Sequence, residues 1–239
     1  MESIGKKIGD SLKKLVFREV SVAGFQELSA SFKRLDLEGE SLKNARYAPG
    51  DKVQLALAAG ARTYSPFGWD AARGKMSLLI YLHGETTSVS WAKGVAESER
   101  LYVFGPRSSL ALASLTGPLV LFGDETSFGV ARALLESRPR ANDLGFVFEA
   151  SRPDEAHAAL DALQLPKDSV VERTSDESHL ATVEDRLRAA LMRSPSSHLV
   201  FTGKAHSIQT LRKALKARPV PHASQTVKAY WSPGKRGLD

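Results

Sequence analysis

Gly117-Pro118-Leu119-Val120-Leu121-Phe122-Gly123-Asp124-Glu125-Thr126 divides the chain into two patterns. After it, short apolar runs alternate with stretches of helical period. Strands are expected at Leu119–Phe122, Gly145–Glu149, Ser169–Glu172, His198–Phe201 and Thr226–Trp231. Helices are expected at Phe128–Leu135, Asp154–Leu163 and about Leu180–Met192 and Ile208–Lys216. Such alternation makes a parallel sheet wrapped by helices. Before it the period is two, with strands expected at Leu15–Val22, Leu28–Leu37, Val53–Ala58, Met76–Leu82 and Leu101–Phe104. Turn-rich pieces such as Pro49-Gly50-Asp51 and Ala72-Arg73-Gly74-Lys75 separate them. Short strands at this spacing indicate an antiparallel barrel or sandwich, and closing a barrel removes exposed sheet edges. The reading is therefore an antiparallel β-barrel domain over residues 1–112, followed by a parallel-sheet α/β domain over 113–239. Ile4, Ile8, Leu12 and Leu15 lie near helical spacing and predict an N-terminal amphipathic helix capping the barrel.

The 239 residues suffice for two compact units. Cysteine is absent, which excludes disulfides, iron–sulfur ligation and a thiol nucleophile. No apolar run is long enough to span a bilayer, and the N-terminus lacks the short apolar core of a secretory signal, so a cytoplasmic protein is expected. The net charge of +6 points to an anionic partner, whether nucleic acid, a phosphate-bearing cofactor or an acidic metal chelate, or else to an unspecialised basic surface. Lys and Arg are scattered apart from small clusters, which argues against a nucleic-acid stripe. The six histidines show no metal-ligand spacing.

Two regions carry chemistry-bearing side chains. Arg62-Thr63-Tyr64-Ser65 follows the Val53–Ala58 strand and Gly60. It offers a cation for phosphate, a ring to stack on a heterocycle, and hydroxyls for hydrogen bonds. The other region is the set of carboxyl ends of the α/β strands, where open α/β sheets bind ligands. Gly123-Asp124-Glu125-Thr126 follows the first strand and Thr202-Gly203-Lys204 the fourth. Both suit a phosphate-bearing nucleotide, or are ordinary capped turns. Neither contains a G-x-G-x-x-G fingerprint, and no Walker A motif is present.

Taken in order, these segments resemble the siderophore-interacting proteins of the ferredoxin-reductase-like superfamily. Arg62-Thr63-Tyr64-Ser65 resembles the R-x-Y-S/T flavin motif. His83-Gly84-Glu85 through Ser90-Trp91-Ala92 resembles the H-G…S-x-W-A stretch. Leu121–Thr126 resembles the L-x-G-D-E-T opening of the nicotinamide domain, and Tyr230-Trp231 with Gly234 and Arg236 resembles the Y-W-x-x-G-R ending. The resemblance covers the chain from about residue 14 onward. One segment departs from it: Thr87-Ser88-Val89 stands where the family has Gly-Pro-Ala, which removes a glycine from the phosphate loop.

The resemblance implies FAD as cofactor and NADPH or NADH as electron donor. Arg62 would pair with the FAD pyrophosphate, Tyr64 would stack on the isoalloxazine, and Ser65 would hydrogen-bond near the flavin N5. Tyr64 and Ser65 would thus be the catalytic pair. Thr63, His83, Thr86, Thr87 and Ser88 would complete the FAD site. Asp124, Glu125 and Thr126 would border the nicotinamide, with carboxylates capping the following helix or orienting the ring. Gly203 and Lys204 would meet the coenzyme phosphates, aided by Arg212 or Lys213, and Trp231 would cover the site or anchor the terminus. Lys93, Lys228, Lys235 and Arg236 would attract an anionic ferric siderophore or other ferric chelate. The implied activity is ferric-siderophore reduction releasing Fe(II), by a monomer with no nucleic-acid partner. Two alternatives stand beside it: a general flavin-dependent ferric chelate or quinone reductase, and a non-catalytic FAD- or siderophore-binding protein.

Overall fold

A computed structural model describes residues 17–58, 60–138 and 143–234. The expected N-terminal helix, Lys235 and Arg236 lie outside the described residues. The chain forms two compact units, Met1–Ser109 and Leu110–Asp239.

The first unit is a seven-stranded antiparallel sheet. Its strands are β1 (Phe17–Ser29), β2 (Phe32–Glu38), β3 (Lys52–Leu57), β4 (Gly60–Tyr64), β5 (Phe67–Asp70), β6 (Lys75–Tyr81) and β7 (Arg100–Arg107), in the spatial order β4-β3-β7-β1-β2-β6-β5. The two edge strands, β4 and β5, are consecutive in the chain and joined by only Ser65 and Pro66. Three Cα steps bring them within roughly 11 Å of one another, so the sheet is rolled until its edges meet. Covalent chain closes the barrel there. Alternation sorts the side chains: Leu35 and Leu37 on β2, and Met76, Leu78 and Ile80 on β6, are buried in the core with Val53, Leu55, Leu101 and Val103. An α-helix, α1 (Thr87–Gly94), adds Val89 and Ala92 to that core, with Val95 just beyond it.

The period-two pattern foreshadows five of these strands. The expected Leu28–Leu37 strand is instead split by a turn at Ala30-Ser31, because β1 runs on through polar Gln26 and Glu27. β5 and α1 carry no clear periodic signal. Each is held by packing on the barrel core, to which Trp69, Val89 and Ala92 contribute.

The second unit is a five-stranded parallel sheet ordered β10-β9-β8-β11-β12. Its strands are β8 (Leu119–Gly123), β9 (Leu144–Ala150), β10 (Val170–Glu172), β11 (His198–Lys204) and β12 (Ser224–Trp231). Its helices are α2 (Phe128–Ser137), α3 (Pro153–Ala162), α4 (His179–Arg193) and α5 (Ala205–Ala217). Every residue of β8 is buried, as a central parallel strand covered on both faces requires. The chain winds outward from β8 through β9 to β10, then returns to place β11 and β12 on the other side. The order therefore reverses between β8 and β11, and a crevice at their carboxyl ends is where such a sheet takes a ligand.

Candidate functional site

Strand alternation divides the Arg62–Ser65 segment. Arg62 pairs opposite Leu55 and Tyr64 opposite Val53, so both side chains belong to the core face of the barrel, and Tyr64 packs against the core cluster. Thr63 faces the other way, where its Oγ1 accepts from Gln54 Nε2 at 3.2 Å. The structure thus groups Arg62 with Tyr64 and leaves the Thr63 side chain outside that group. Burial pushes the Tyr64 phenol up to about 12, against the opposing pull of Arg62, so it is a neutral hydroxyl at any ordinary pH. Neither the Tyr64 nor the Ser65 hydroxyl has a hydrogen-bond partner among the described residues.

The Arg62 guanidinium meets the start of α1. Its Nε donates to Ser88 Oγ at 2.9 Å and its Nη1 to the Ala61 carbonyl at 3.0 Å. Thr86 caps this helix, its Oγ1 accepting from the Val89 N–H at 3.3 Å, and no acidic residue occupies the first turn. Cation, hydroxyls and helix N-terminus converge on one place and suit an anion such as a pyrophosphate. The missing Gly-Pro-Ala does not leave a gap, because Thr87 and Ser88 begin a helix. The glycine that needs left-handed backbone here is Gly84, at φ 67°. His83 is exposed beside it, its ring stacked on Tyr81 at 4.7 Å, and Tyr81 in turn stacks on Phe32.

Two contacts fix α1. Trp91 donates its indole N–H to Glu99 Oε1 at 2.9 Å while packing on the core. Lys33, only 1 % exposed, donates to the Ala92 carbonyl at 2.8 Å and pairs with Glu27 at 2.9 Å. Nothing in the sequence marks Lys33, which sits among alternating residues of an ordinary strand.

In the second unit the loop after β8 folds onto itself. The Asp124 side chain is fully buried; its Oδ1 accepts from the Thr126 N–H at 2.9 Å and from the Thr126 hydroxyl, and its Oδ2 from Trp231 Nε1 at 2.7 Å. Burial and the adjacent Glu125 carboxylate push the Asp124 carboxyl up to about 6. Gly203, at φ 94°, passes so close that a Cβ would lie 2.6 Å from the Asp124 carboxyl carbon. Asp124 therefore ties β8, β11 and β12 together.

Beside it lies a buried ionic network the sequence does not disclose. Arg173 Nη2 reaches Glu125 at 2.9 Å and Glu149 at 3.3 Å, while its Nη1 donates to Ser151 Oγ at 2.6 Å. Glu149 also meets His179 Nε2 at 2.8 Å and accepts from Ser207 Oγ at 2.8 Å. Asp124, Glu125 and Trp231 are thus framework of the crevice, with their polar atoms turned inward. Lys204 is paired with Glu177. Lys93 is exposed in the last turn of α1, and Lys228 lies on β12 opposite Thr202. Among the described residues no group of His, Asp and Glu forms a metal site, and no helix is long and apolar enough to cross a membrane.

Residues 54–110 match the model for the siderophore-interacting FAD-binding domain, and residues 117–234 match that for siderophore-interacting protein. The chain belongs to the siderophore-interacting protein family. Arg62, Tyr64 and Ser88 fall in the first match, and Asp124, Gly203 and Trp231 in the second. An NADPH-dependent ferric-chelate reductase of Escherichia coli (strain K12) is 22 % identical over 247 residues, covering 91 % of this chain and 93 % of the relative. The siderophore-interacting protein SipS of Aeromonas hydrophila superimposes with a TM-score of 0.71 at 18 % identity, covering 92 % and 93 % of the two chains. Phthalate dioxygenase reductase does so with a TM-score of 0.71 at 16 % identity, covering 93 % of this chain and 71 % of its own. The two structures establish a ferredoxin-reductase-like fold.

Proposed function

We propose that this protein is an FAD-containing, NAD(P)H-dependent ferric-siderophore reductase that releases iron as Fe(II) in the cytoplasm. The observation that carries the reading is the convergence of Arg62, Ser88 and the capped start of α1 beside the partnerless hydroxyls of Tyr64 and Ser65. These residues fit FAD: a pyrophosphate needs a cation and N–H donors, and a heterocycle needs a flat ring and a hydroxyl. When bound, FAD supplies the conversion of one hydride from NAD(P)H into two single-electron deliveries.

The chain's own residues supply binding and orientation. Arg62 neutralises phosphate charge. Tyr64 presents its ring as a platform, held by the barrel core, and its high pKa keeps it from adding negative charge. Ser65 stands where the chain leaves β4, before Pro66, and its hydroxyl would hold the flavin by a hydrogen bond. The second unit offers the strand ends of β8 and β11 to the nicotinamide coenzyme. Two ferric chelates accept one electron each per NAD(P)H consumed, and a proton is released. Lys93, Lys228, Lys235 and Arg236 contribute the positive field that draws an anionic chelate.

The test is a flavin titration of the purified chain followed by steady-state turnover with a ferrous-specific chromogenic chelator. Micromolar FAD affinity and NADPH-dependent appearance of Fe(II) from ferric siderophores are expected. No FAD binding at micromolar concentration ends the reading. Because the Escherichia coli relative is named for ferric chelates at large, a general chelate reductase is the second reading. Equal kcat/KM for ferric citrate and ferric siderophores selects it.

A further inference from the structure

The two turns that flank the reversal of strand order differ in what they leave for an anion. The β8 turn is already filled. Asp124 and Glu125 are 0 % and 3 % exposed, and Asp124 itself takes the N–H of Thr126. Any phosphate brought there would meet two buried carboxylates. The turn after β11 is the opposite: its titratable side chains are Lys204 and His206, with no acidic residue in the first turn of α5 and no side-chain cap on that helix.

Both of those groups are turned onto one carboxylate. Glu177 Oε1 lies 2.5 Å from Lys204 Nζ, and Glu177 Oε2 lies 2.7 Å from His206 Nε2. Glu177 comes from a different segment, between β10 and α4, and adopts φ 62°, a left-handed conformation that residues with a side chain rarely take. The loop holds it there through Glu177 N–H to the Thr174 carbonyl at 3.2 Å and Leu180 N–H to the Glu177 carbonyl at 3.1 Å. A strained backbone thus delivers one carboxylate, with its two oxygens 2.5 and 2.7 Å from a lysine and a histidine, at the ligand-binding end of the sheet.

We propose that Lys204 and His206 form the phosphate site for the nicotinamide coenzyme, and that Glu177 is an internal anion competing for it. The proposal rests on the reading of this unit as the coenzyme-binding one. Phosphate entry displaces the Glu177 carboxylate, which is partly exposed and can turn to water, and passes Lys204 and His206 to the phosphate oxygens. Glu177 thereby sets the coenzyme affinity: it weakens binding of every phosphate-bearing ligand at this turn. That raises KM for NAD(P)H without touching the reacting atoms. Arg62 belongs to the other unit and takes no part in this pairing.

The test uses the full FAD-loaded chain and calorimetric titration with inorganic pyrophosphate, NADP+ and NAD+. Glu177→Gln removes the charge. Glu177→Gly removes the side chain at a position whose φ glycine adopts without strain, so a folded variant is available even if glutamine rebuilds the contact. Both variants are expected to bind pyrophosphate and NADP+ roughly 3- to 10-fold more tightly than wild type, the scale of partly exposed ion pairs. Lys204→Met is expected to weaken both by at least as much. A gain shared by NADP+ and NAD+ assigns the site to the diphosphate, and a gain for NADP+ alone assigns it to the 2′-phosphate. Unchanged or weaker pyrophosphate binding in both Glu177 variants, or unchanged binding in Lys204→Met, overturns the proposal. If wild type binds neither dinucleotide but the pyrophosphate pattern holds, the anion site stands and the NAD(P)H reading falls.

Discussion

Strand alternation puts Arg62 and Tyr64 on one face and sends Thr63 to the other, so the proposed FAD site draws on the first two side chains together. Arg62→Ala deletes a charge-assisted donor of roughly 1.5–3 kcal/mol. FAD affinity, read by flavin fluorescence quenching, should fall about 10- to 100-fold. Tyr64→Phe keeps the ring and removes a hydroxyl that has no partner among the described residues. It should change stability by less than about 0.5 kcal/mol, whereas Tyr64→Ala should cost both core packing and FAD binding. Asp124 gives a pH signature of definite sign. Its carboxyl is raised from 3.8 to about 6 by burial, with Glu125 adding to the shift. The folded chain therefore holds that proton more tightly than the unfolded chain. Its stabilising contribution is complete below pH 4 and is lost as pH rises through 6, at most about 3 kcal/mol in all. Asp124→Asn should flatten this part of the profile. The wild-type-minus-variant difference in urea-melt stability should decrease from pH 4 to pH 6; a difference that increases would contradict the assignment.

The elements show how far side-chain patterns reach. The β8 run Leu119–Phe122 and the helices after it are legible because a buried parallel strand is continuously apolar and a surface helix repeats every 3.6 residues. α1 is not legible: Thr87-Ser88-Val89-Ser90 is rich in hydroxyl and β-branched residues, which resemble a loop or strand. Its helicity comes from the Thr86 cap, burial of Val89 and Ala92, and Lys33 at its far end. The cap is local, but the core packing and the Lys33 contact reach across dozens of residues that no local window contains. Lys33→Met tests this dependence. It leaves the Glu27 charge unpaired and the Ala92 carbonyl without its donor, so unfolding free energy should drop by about 2 kcal/mol or more. FAD affinity should fall with it although Lys33 lies outside the cradle. Gly203→Ala should be costly for a different reason: its φ of 94° and a Cβ position 2.6 Å from the Asp124 carboxyl carbon leave no room for the methyl group. Its melting temperature should fall by several degrees.

At the scale of the molecule, a rolled antiparallel sheet and a doubly wound parallel sheet meet the expectation read from the change of period near Gly117-Pro118. The candidate flavin residues were legible as motifs. The ion pairs that fix the crevice of the second unit were not, because Glu125, Glu149, Arg173, His179 and Ser207 come from five separate segments and only topology gathers them. Neither unit alone accounts for the proposed reductase: the proposal puts FAD on the Arg62 donor set of one and a nicotinamide coenzyme at the strand ends of the other. The central claim is that both serve one electron path to ferric iron. Its most direct measurement is the visible spectrum of the FAD-loaded chain under anaerobic conditions, before and after NADPH and then a ferric siderophore. Flavin bands that bleach with NADPH and return when the ferric siderophore is added, with Fe(II) formed at two per NADPH, are the predicted result. Bands that stay unbleached by both NADPH and NADH, or bleached flavin that the ferric siderophore does not reoxidise, would contradict it.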